Sequence, residues 1–164
     1  MSQATYSNTP AVIRMVAANT LPARGEELMR IVMRFEYSLK ETHFGRSING
    51  SAEADWDKFA NEVLKAEFYD YIGKNGVAPT LLNYPPSKQV LQSGILSWVK
   101  CSKPTDIQSL IGAVRRVRNN LVHGGKSGDP DSERNDAMVS EAIEILLASL
   151  RASDDVRIAF ENLH

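Results

Sequence analysis

The sequence predicts an all-α fold, an antiparallel bundle of four to five main helices. Apolar residues recur at three- and four-residue spacings in four long segments, which is the period of an amphipathic helix. No run of residues shows the sustained alternation of apolar and polar side chains that marks a half-buried strand. Short stretches containing glycine, proline or asparagine separate the segments, and short connections favour antiparallel neighbours.

The helices are placed by their apolar stripes and by the residues at their ends. We predict helices over about residues 22–43, 52–73, 107–121, 129–151 and 154–162. Pro22 lies near the start of the first helix, and the turn-forming pair Asn49-Gly50 precedes the second.

Capping residues support the last three of these helices. Thr105 or Asp106 precedes the helix that begins at 107, and Ser153 precedes the one that begins at 154. Asp129 and Pro130 suit the N-cap and first helical positions of the helix that extends to about residue 151. Because an N-cap oxygen accepts a hydrogen bond from a free N–H group of the first turn, these residues predict where each helix begins.

Residues 74–104 are predicted to be an irregular connection in the bundle. The segment contains several helix-breaking residues, among them Gly76 and the pair Pro85-Pro86. Residues 80–82 suit a short strand, and an interrupted apolar pattern around Gly94 suits a short helix. We therefore expect no long regular element there.

The chain length indicates a single domain. With 164 residues, the sequence has room for one helical domain over residues 21–164, preceded by a loosely ordered arm over residues 1–20. A chain of this size buries roughly 68–70% of its unfolded surface, which is enough to fold without a disulfide or a structural metal.

The sequence contains neither the cysteine and histidine pattern of a zinc site nor the apolar stretch of a membrane-spanning helix. Cys101 is the single cysteine, and His43, His123 and His164 lie too far apart in sequence for a zinc site. No stretch approaches 18 consecutive apolar residues. We therefore expect a cytoplasmic protein with no metal, no cofactor and no membrane association.

Positive charge is concentrated in one segment. The chain has 19 basic and 20 acidic residues, a net charge of −1. Between Ile107 and Gly128 there is no Asp or Glu, and four basic residues lie there: Arg115, Arg116, Arg118 and Lys126. This segment is the predicted binding surface for an anionic partner.

Arg118 and His123 form the candidate catalytic pair. Arg118 lies on the flank of the apolar stripe of its helix, so its guanidinium is expected to need an anionic partner. His123 lies in the last turn, and Gly124 and Gly125 follow it, which leaves space for a ligand. Asn119 shares a face with His123 and is the supporting polar residue.

This pair has the chemistry needed to cleave RNA. An arginine can hold a phosphate and stabilise the charge that develops on it, and a histidine can move a proton to or from the reacting oxygens. The ribose 2′-hydroxyl is the internal nucleophile, so DNA should not be cleaved. Arg115, Arg116 and Lys126 are auxiliary candidates for RNA binding.

Each of these residues also has a structural interpretation. His123 fits a helix-capping histidine that bonds the carbonyl groups of the last turn. Arg118 fits an ion pair with Glu36, which lies on the corresponding flank of the first long helix. The ion pair is compatible with catalysis, because a carboxylate can orient a catalytic arginine. Arg115 and Arg116 fit a solvated basic face.

Residues 118–123, Arg-Asn-Asn-Leu-Val-His, resemble the Arg-x4–6-His motif of the HEPN superfamily, including the polar residue that follows the arginine. Residues 117–126 are similar to the Val-Arg-Asn-Asn-Leu-x-His-Gly-Gly-Lys version found in Apea-like members. The similarity extends over about residues 25–150, with weaker matches outside the motif.

The resemblance implies a prokaryotic, metal-independent endoribonuclease of a toxin or antiviral defence system. It implies a helical homodimer in which two Arg118/His123 pairs share one cleft, with an antitoxin or sensor protein as a further partner. Toxins controlled by a nucleotidyltransferase carry a tyrosine two residues after the histidine, where this chain has Gly125. The alternative from another class is a non-catalytic module that binds RNA, a nucleotide or a protein partner.

Overall fold

The computed structural model of the chain describes residues 14–124 and 131–163. The elements, in chain order, are α1 (Val16–Asn19), α2 (Gly25–Glu41), β1 (Gly45–Ile48), β2 (Ser51–Ala54), α3 (Trp56–Phe59), a π-helical segment (Ala60–Leu64), α4 (Lys65–Lys74), α5 (Pro79–Asn83), β3 (Lys88–Gln92), β4 (Ile95–Val99), α6 (Ile107–Val122), α7 (Ser132–Arg151) and α8 (Asp154–Glu161). Within these ranges, every helix is too short or too polar to cross a bilayer.

The fold is mostly helical, but the prediction of an all-α bundle is wrong. Two antiparallel hairpins interrupt the helices: β1 pairs with β2, and β3 pairs with β4. Most of their side chains are exposed on both faces of each two-stranded sheet. A strand that buries neither face has no reason to alternate apolar and polar residues, so the periodicity that predicts strands is absent.

Several predicted element boundaries are also wrong, because the hairpins occupy residues that were expected to be helical or irregular. The helix predicted over 52–73 begins only at Trp56, because residues 51–54 belong to β2. The connection over 74–104 is largely regular, because it contains α5 and the second hairpin. Residues 80–82 are helical rather than extended, and Gly94 lies in the turn between β3 and β4 rather than in a helix.

Both hairpin turns have two central residues with positive φ. The values are 50° at Asn49 and 82° at Gly50 in the first turn, and 49° at Ser93 and 77° at Gly94 in the second. Positive φ at both central positions is the geometry of the type I′ turn, whose twist matches that of the flanking strands.

The predicted caps of the helices α6 and α8 are confirmed. The Asp106 carboxylate accepts a 2.8 Å hydrogen bond from the backbone N–H of Ser109, within a capping box. The Ser153 hydroxyl accepts one from the N–H of Val156. The predicted start at Asp129-Pro130 lies outside the described residues, and within them Asp131 caps α7.

One hydrophobic cluster joins the helices from α2 to α8. Its largest side chains with almost no exposure include Phe35, Phe59, Leu110, Ile143 and Leu146. The helix α2 packs against both α7 and α8. The core therefore fixes α6 between α2, α4 and α7, with one side of α6 left facing the second hairpin. Of the predicted arm over residues 1–20, only residues 14–20 are described, and they are exposed.

Candidate functional site

The side chain of Arg118 is bound by the carboxylate of Glu36. The Arg118 Nη2 atom lies 2.7 Å from the Glu36 Oε1 atom, so α6 is joined to α2 by a charge-assisted hydrogen bond. The two side chains are 25% and 29% exposed. The ion pair that the sequence suggested for Arg118 is therefore present.

The carboxylate of Glu36 is itself fixed by a second donor. The indole Nε1 of Trp56 donates a 3.0 Å hydrogen bond to the same Oε1 atom. The Trp56 ring is buried and stacks on Phe35, with 5.0 Å between ring centroids. The Nε atom of Arg118 is buried without a hydrogen-bond partner among the described residues. The orientation of Arg118, on α6, is thus fixed by Glu36 of α2 and Trp56 of α3, and its Nε–H is left without an acceptor among the described residues.

A basic cavity lies on the side of α6 that faces the β3–β4 hairpin. It has a volume of about 450 Å³. The residues that line it are Lys88, Gln89, Gly112, Arg115, Arg116, Asn119, Asn120 and His123. None of these described lining residues is acidic, so the positive charge of the cavity is not neutralised from within it.

The helical repeat explains why these residues of α6 meet in one cavity. Positions 112, 116, 119 and 123 are three or four residues apart, so their side chains lie on one face of the helix. Gly112 contributes no side chain, and a Cβ atom added there would meet open space. The amide of Asn120 donates a 3.0 Å hydrogen bond to the carbonyl of Ser87, which holds the hairpin against α6.

Arg118 does not line this cavity with His123. Five residues of an α-helix turn the chain by about 500°, so the two positions lie about 140° apart around the axis of α6. Among the described residues, the cavity brings together four of the predicted site residues: Arg115, Arg116, Asn119 and His123. Arg118 and Glu36 lie on another flank, and Lys126 is outside the described residues.

His123 is exposed at the C-terminal end of α6. Its backbone N–H donates to the carbonyl of Asn119 at 2.9 Å, and Gly124 then turns the chain with a φ of 73°. Within the described ranges, the imidazole bonds neither the carbonyls of the last turn nor any other group. A capping histidine would use its ring for those carbonyls, so among the described residues nothing competes with a ligand for the imidazole.

The two arginines of the cavity differ in how they are engaged. Arg115 lies 3.9 Å from the carboxylate of Asp57, an exposed pair that contributes little to stability. Arg116 makes no ion pair within the described part of the chain. Arg116 and His123 lie two turns apart on one face of α6, and neither side chain is paired with another described residue, so together they suit the binding of a phosphate backbone.

Lys88, Gln89, Gly112 and Asn120 were missed by reasoning from the sequence. A charge pattern could have indicated the first of them, because residues 71–105 also contain no Asp or Glu. The basic residues in that stretch are Lys74, Lys88, Lys100 and Lys103. The acid-poor part of the chain is therefore longer than the motif segment and includes the second hairpin.

No family model, curated protein or solved structure matches this chain. Among the described residues, no group of three or more His, Cys, Asp and Glu side chains has the arrangement of a metal site. Because no similar protein indicates a function, the evidence for one comes from the geometry of the described residues and from the sequence motif over residues 118–123.

Proposed function

We propose that the chain is an endoribonuclease that cleaves RNA without a metal ion, with His123 as the group that moves the proton. The observation that carries the proposal is the cavity that His123, Asn119, Arg115 and Arg116 line together, with no acidic residue among its described lining residues. A site of this charge favours the phosphate backbone, and the exposed imidazole supplies acid–base chemistry next to it.

The proposed reaction is an internal transfer of the phosphoryl group. The 2′-oxygen of the ribose forms a bond to phosphorus, and the bond from phosphorus to the 5′-oxygen breaks. A base takes the proton of the 2′-hydroxyl, and an acid delivers a proton to the leaving 5′-oxygen. The products are a 2′,3′-cyclic phosphate and a 5′-hydroxyl, so protons and electrons balance without any co-reactant. Arg116 stabilises the charge on the phosphorane.

A homodimer supplies the second proton-transfer group. An apolar groove of about 260 Å³ lies where the start of α2 meets the end of α6, and it is lined in part by Leu21, Met29, Leu121 and Val122. Val122 is 52% exposed and adjoins His123 in the chain. Apolar contact at this groove would bring two copies of the α6 end together. One His123 would then act as the base and the other as the acid, with the two copies of Arg118 at the shared cleft.

The association state gives a separate test of the dimer. The wild-type chain should have the mass of a dimer at micromolar concentration, and Val122→Asp should shift the mass to that of a monomer and reduce cleavage. A monomeric mass for the wild type, measured by light scattering, would contradict the shared cleft.

Incubation of RNA with the purified chain in EDTA tests the proposed activity. His123→Ala should reduce the cleavage rate by about 10²–10⁴, the usual contribution of a positioned acid or base. His43→Ala is the matched control, because His43 is exposed and lies outside the cavity. Arg116→Ala and Arg118→Ala should each reduce the rate. Cleavage that persists in His123→Ala would refute the assignment.

A non-catalytic RNA-binding module is the second candidate function. The observation that favours it is the engagement of Arg118 by Glu36, away from the cavity that holds His123. For this candidate, the wild-type chain binds RNA without cutting it, and Arg116→Ala lowers the affinity. For both candidate functions, the role in defence and the antitoxin or sensor partner are proposed from the sequence motif alone.

A further inference from the structure

A second basic cavity adjoins the one that holds His123. It has a volume of about 550 Å³ and lies between the base of the β3–β4 hairpin and the start of α7. Lys100, Lys103 and Arg134 line it, and Asp131 is the one acidic residue among its described lining residues. With three cations and one carboxylate, its lining is positive.

In the described structure, the two lysines of this second cavity take no part in holding the fold together. Neither Lys100 nor Lys103 makes an ion pair or a hydrogen bond through its ammonium group in the described parts of the chain. Arg134 is fixed, because its Nη2 atom donates to the carbonyls of Tyr84 at 3.0 Å and Pro85 at 3.1 Å. The site thus combines one positioned guanidinium with two ammonium groups that no described residue engages.

A thin wall separates the two cavities. Ser87 lines the second cavity, and the next residue in the chain, Lys88, lines the first. Asn120 lines the first cavity and donates its hydrogen bond to the carbonyl of Ser87. A ligand that fills one cavity therefore lies directly beside the other.

An exposed aromatic ring completes the second cavity. Tyr84 lines it and is 68% exposed, which is high for a side chain of this size. Aromatic rings beside a positive groove are the usual arrangement for single-stranded nucleic acid, because an unpaired base stacks on the ring while the cations hold the backbone.

We propose that this second cavity binds the RNA strand next to the bond that is cleaved. Lys100, Lys103 and Arg134 hold a neighbouring phosphate, and Tyr84 stacks an unpaired base. The inference rests on the proposed function and deepens it, because it makes the substrate single-stranded RNA longer than a dinucleotide. A duplex does not fit, since its bases are already stacked and paired.

Binding of a fluorescent ten-nucleotide oligouridylate, measured by anisotropy, tests the site without requiring cleavage. The double variant Lys100→Ala/Lys103→Ala should lower the affinity. The plot of log K against log salt, which slopes downward, should become less steep by about 0.7 to 1.4, because each phosphate contact in a single strand contributes about 0.7 to its steepness. Tyr84→Ala should weaken binding by about tenfold. Lys74→Ala is the matched control, since Lys74 lines neither cavity.

A second readout separates this inference from the nuclease proposal. Where the wild type cleaves RNA, the double variant should raise KM for the ten-nucleotide strand and leave cleavage of the dinucleotide UpA unchanged. If the double variant binds the strand as tightly as the wild type, with the same salt slope and an unchanged Tm, the second site is refuted. If binding shows the predicted loss but no variant cleaves RNA, the second site stands and the nuclease proposal fails.

Discussion

Arg118 of α6 and Glu36 of α2 are joined by a 2.7 Å hydrogen bond on the flank of α6 away from the basic cavity. The same oxygen of Glu36 accepts the indole N–H of Trp56, so one carboxylate joins three helices. An ion pair in this position restricts the rotation of α6 about its axis. It therefore helps to position the cavity residues, although Arg118 itself does not line the cavity.

Loss of Glu36 should destabilise the fold measurably. Glu36→Ala leaves a guanidinium and an indole N–H without their acceptor, so we expect a loss of about 2 kcal/mol in the free energy of unfolding. Glu36→Gln keeps an oxygen for Trp56 and should lose less. Glu26→Ala is the control, because Glu26 is exposed on the same helix and pairs only weakly, at 3.8 Å, with Arg30. Equal stability of Glu36→Ala and Glu26→Ala in urea unfolding would contradict this role.

Gly112 provides a way to fill the cavity without disturbing the core. Gly112→Ala should raise the free energy of unfolding by about 1 kcal/mol, because glycine is a poor helix former and the added Cβ meets open space. Gly112→Phe should keep the fold and weaken RNA binding strongly, since the ring would occupy this cavity and leave the strand only the contacts of the second one. Gly73→Phe is the matched control, a helical glycine with open space outside the cavity. An RNA affinity of Gly112→Phe equal to that of the wild type would place the RNA outside this cavity.

Glu141 of α7 binds the first turn of the short helix α5, which precedes the second hairpin in the chain. Its two carboxylate oxygens accept hydrogen bonds from the backbone N–H groups of Thr80 at 2.9 Å and Leu81 at 2.8 Å, and the side chain is buried. Glu141→Ala should cost about 3 kcal/mol, because one buried and one partly buried N–H group lose their acceptor. Glu144→Ala, an exposed change on the same helix, should cost much less. Thermal unfolding of both variants measures the difference.

The N-cap of α6 should make stability depend on pH in acid. Hydrogen bonds from the backbone N–H and the hydroxyl of Ser109 hold the pKa of Asp106 below its ordinary value of 3.8. A lowered folded pKa means that the stabilisation is present above the unfolded pKa and is lost as the pH falls through the folded value. Asp106→Asn keeps an acceptor oxygen but cannot titrate. Its free energy of unfolding should therefore fall less steeply with acid than that of the wild type, and identical pH profiles would exclude the effect.

The sequence predicted the long helices better than the elements between them. The helix α6 was predicted over 107–121 and spans Ile107–Val122, because an apolar stripe and a capping residue act locally. The hairpins were missed because their exposed strands have no periodicity. Asn49-Gly50 is the turn signal that could have indicated the first hairpin, since this pair favours positive φ at both positions.

The sequence also predicted part of the site. Helical spacing places Asn119 and His123 on one face, and the structure brings them together with Arg115 and Arg116. The opposite wall depends on tertiary contacts, because Lys88 reaches the cavity only through the fold of the second hairpin. Spacing along α6 alone could not have predicted that wall.

The most direct test of the central claim uses a DNA strand that contains a single ribonucleotide, incubated with the chain in EDTA. The account predicts one cut, on the 3′ side of that ribonucleotide, with a 2′,3′-cyclic phosphate on the product and no cut by His123→Ala. Cleavage of the all-DNA strand, a 3′-hydroxyl product, or full activity without the imidazole would each contradict it.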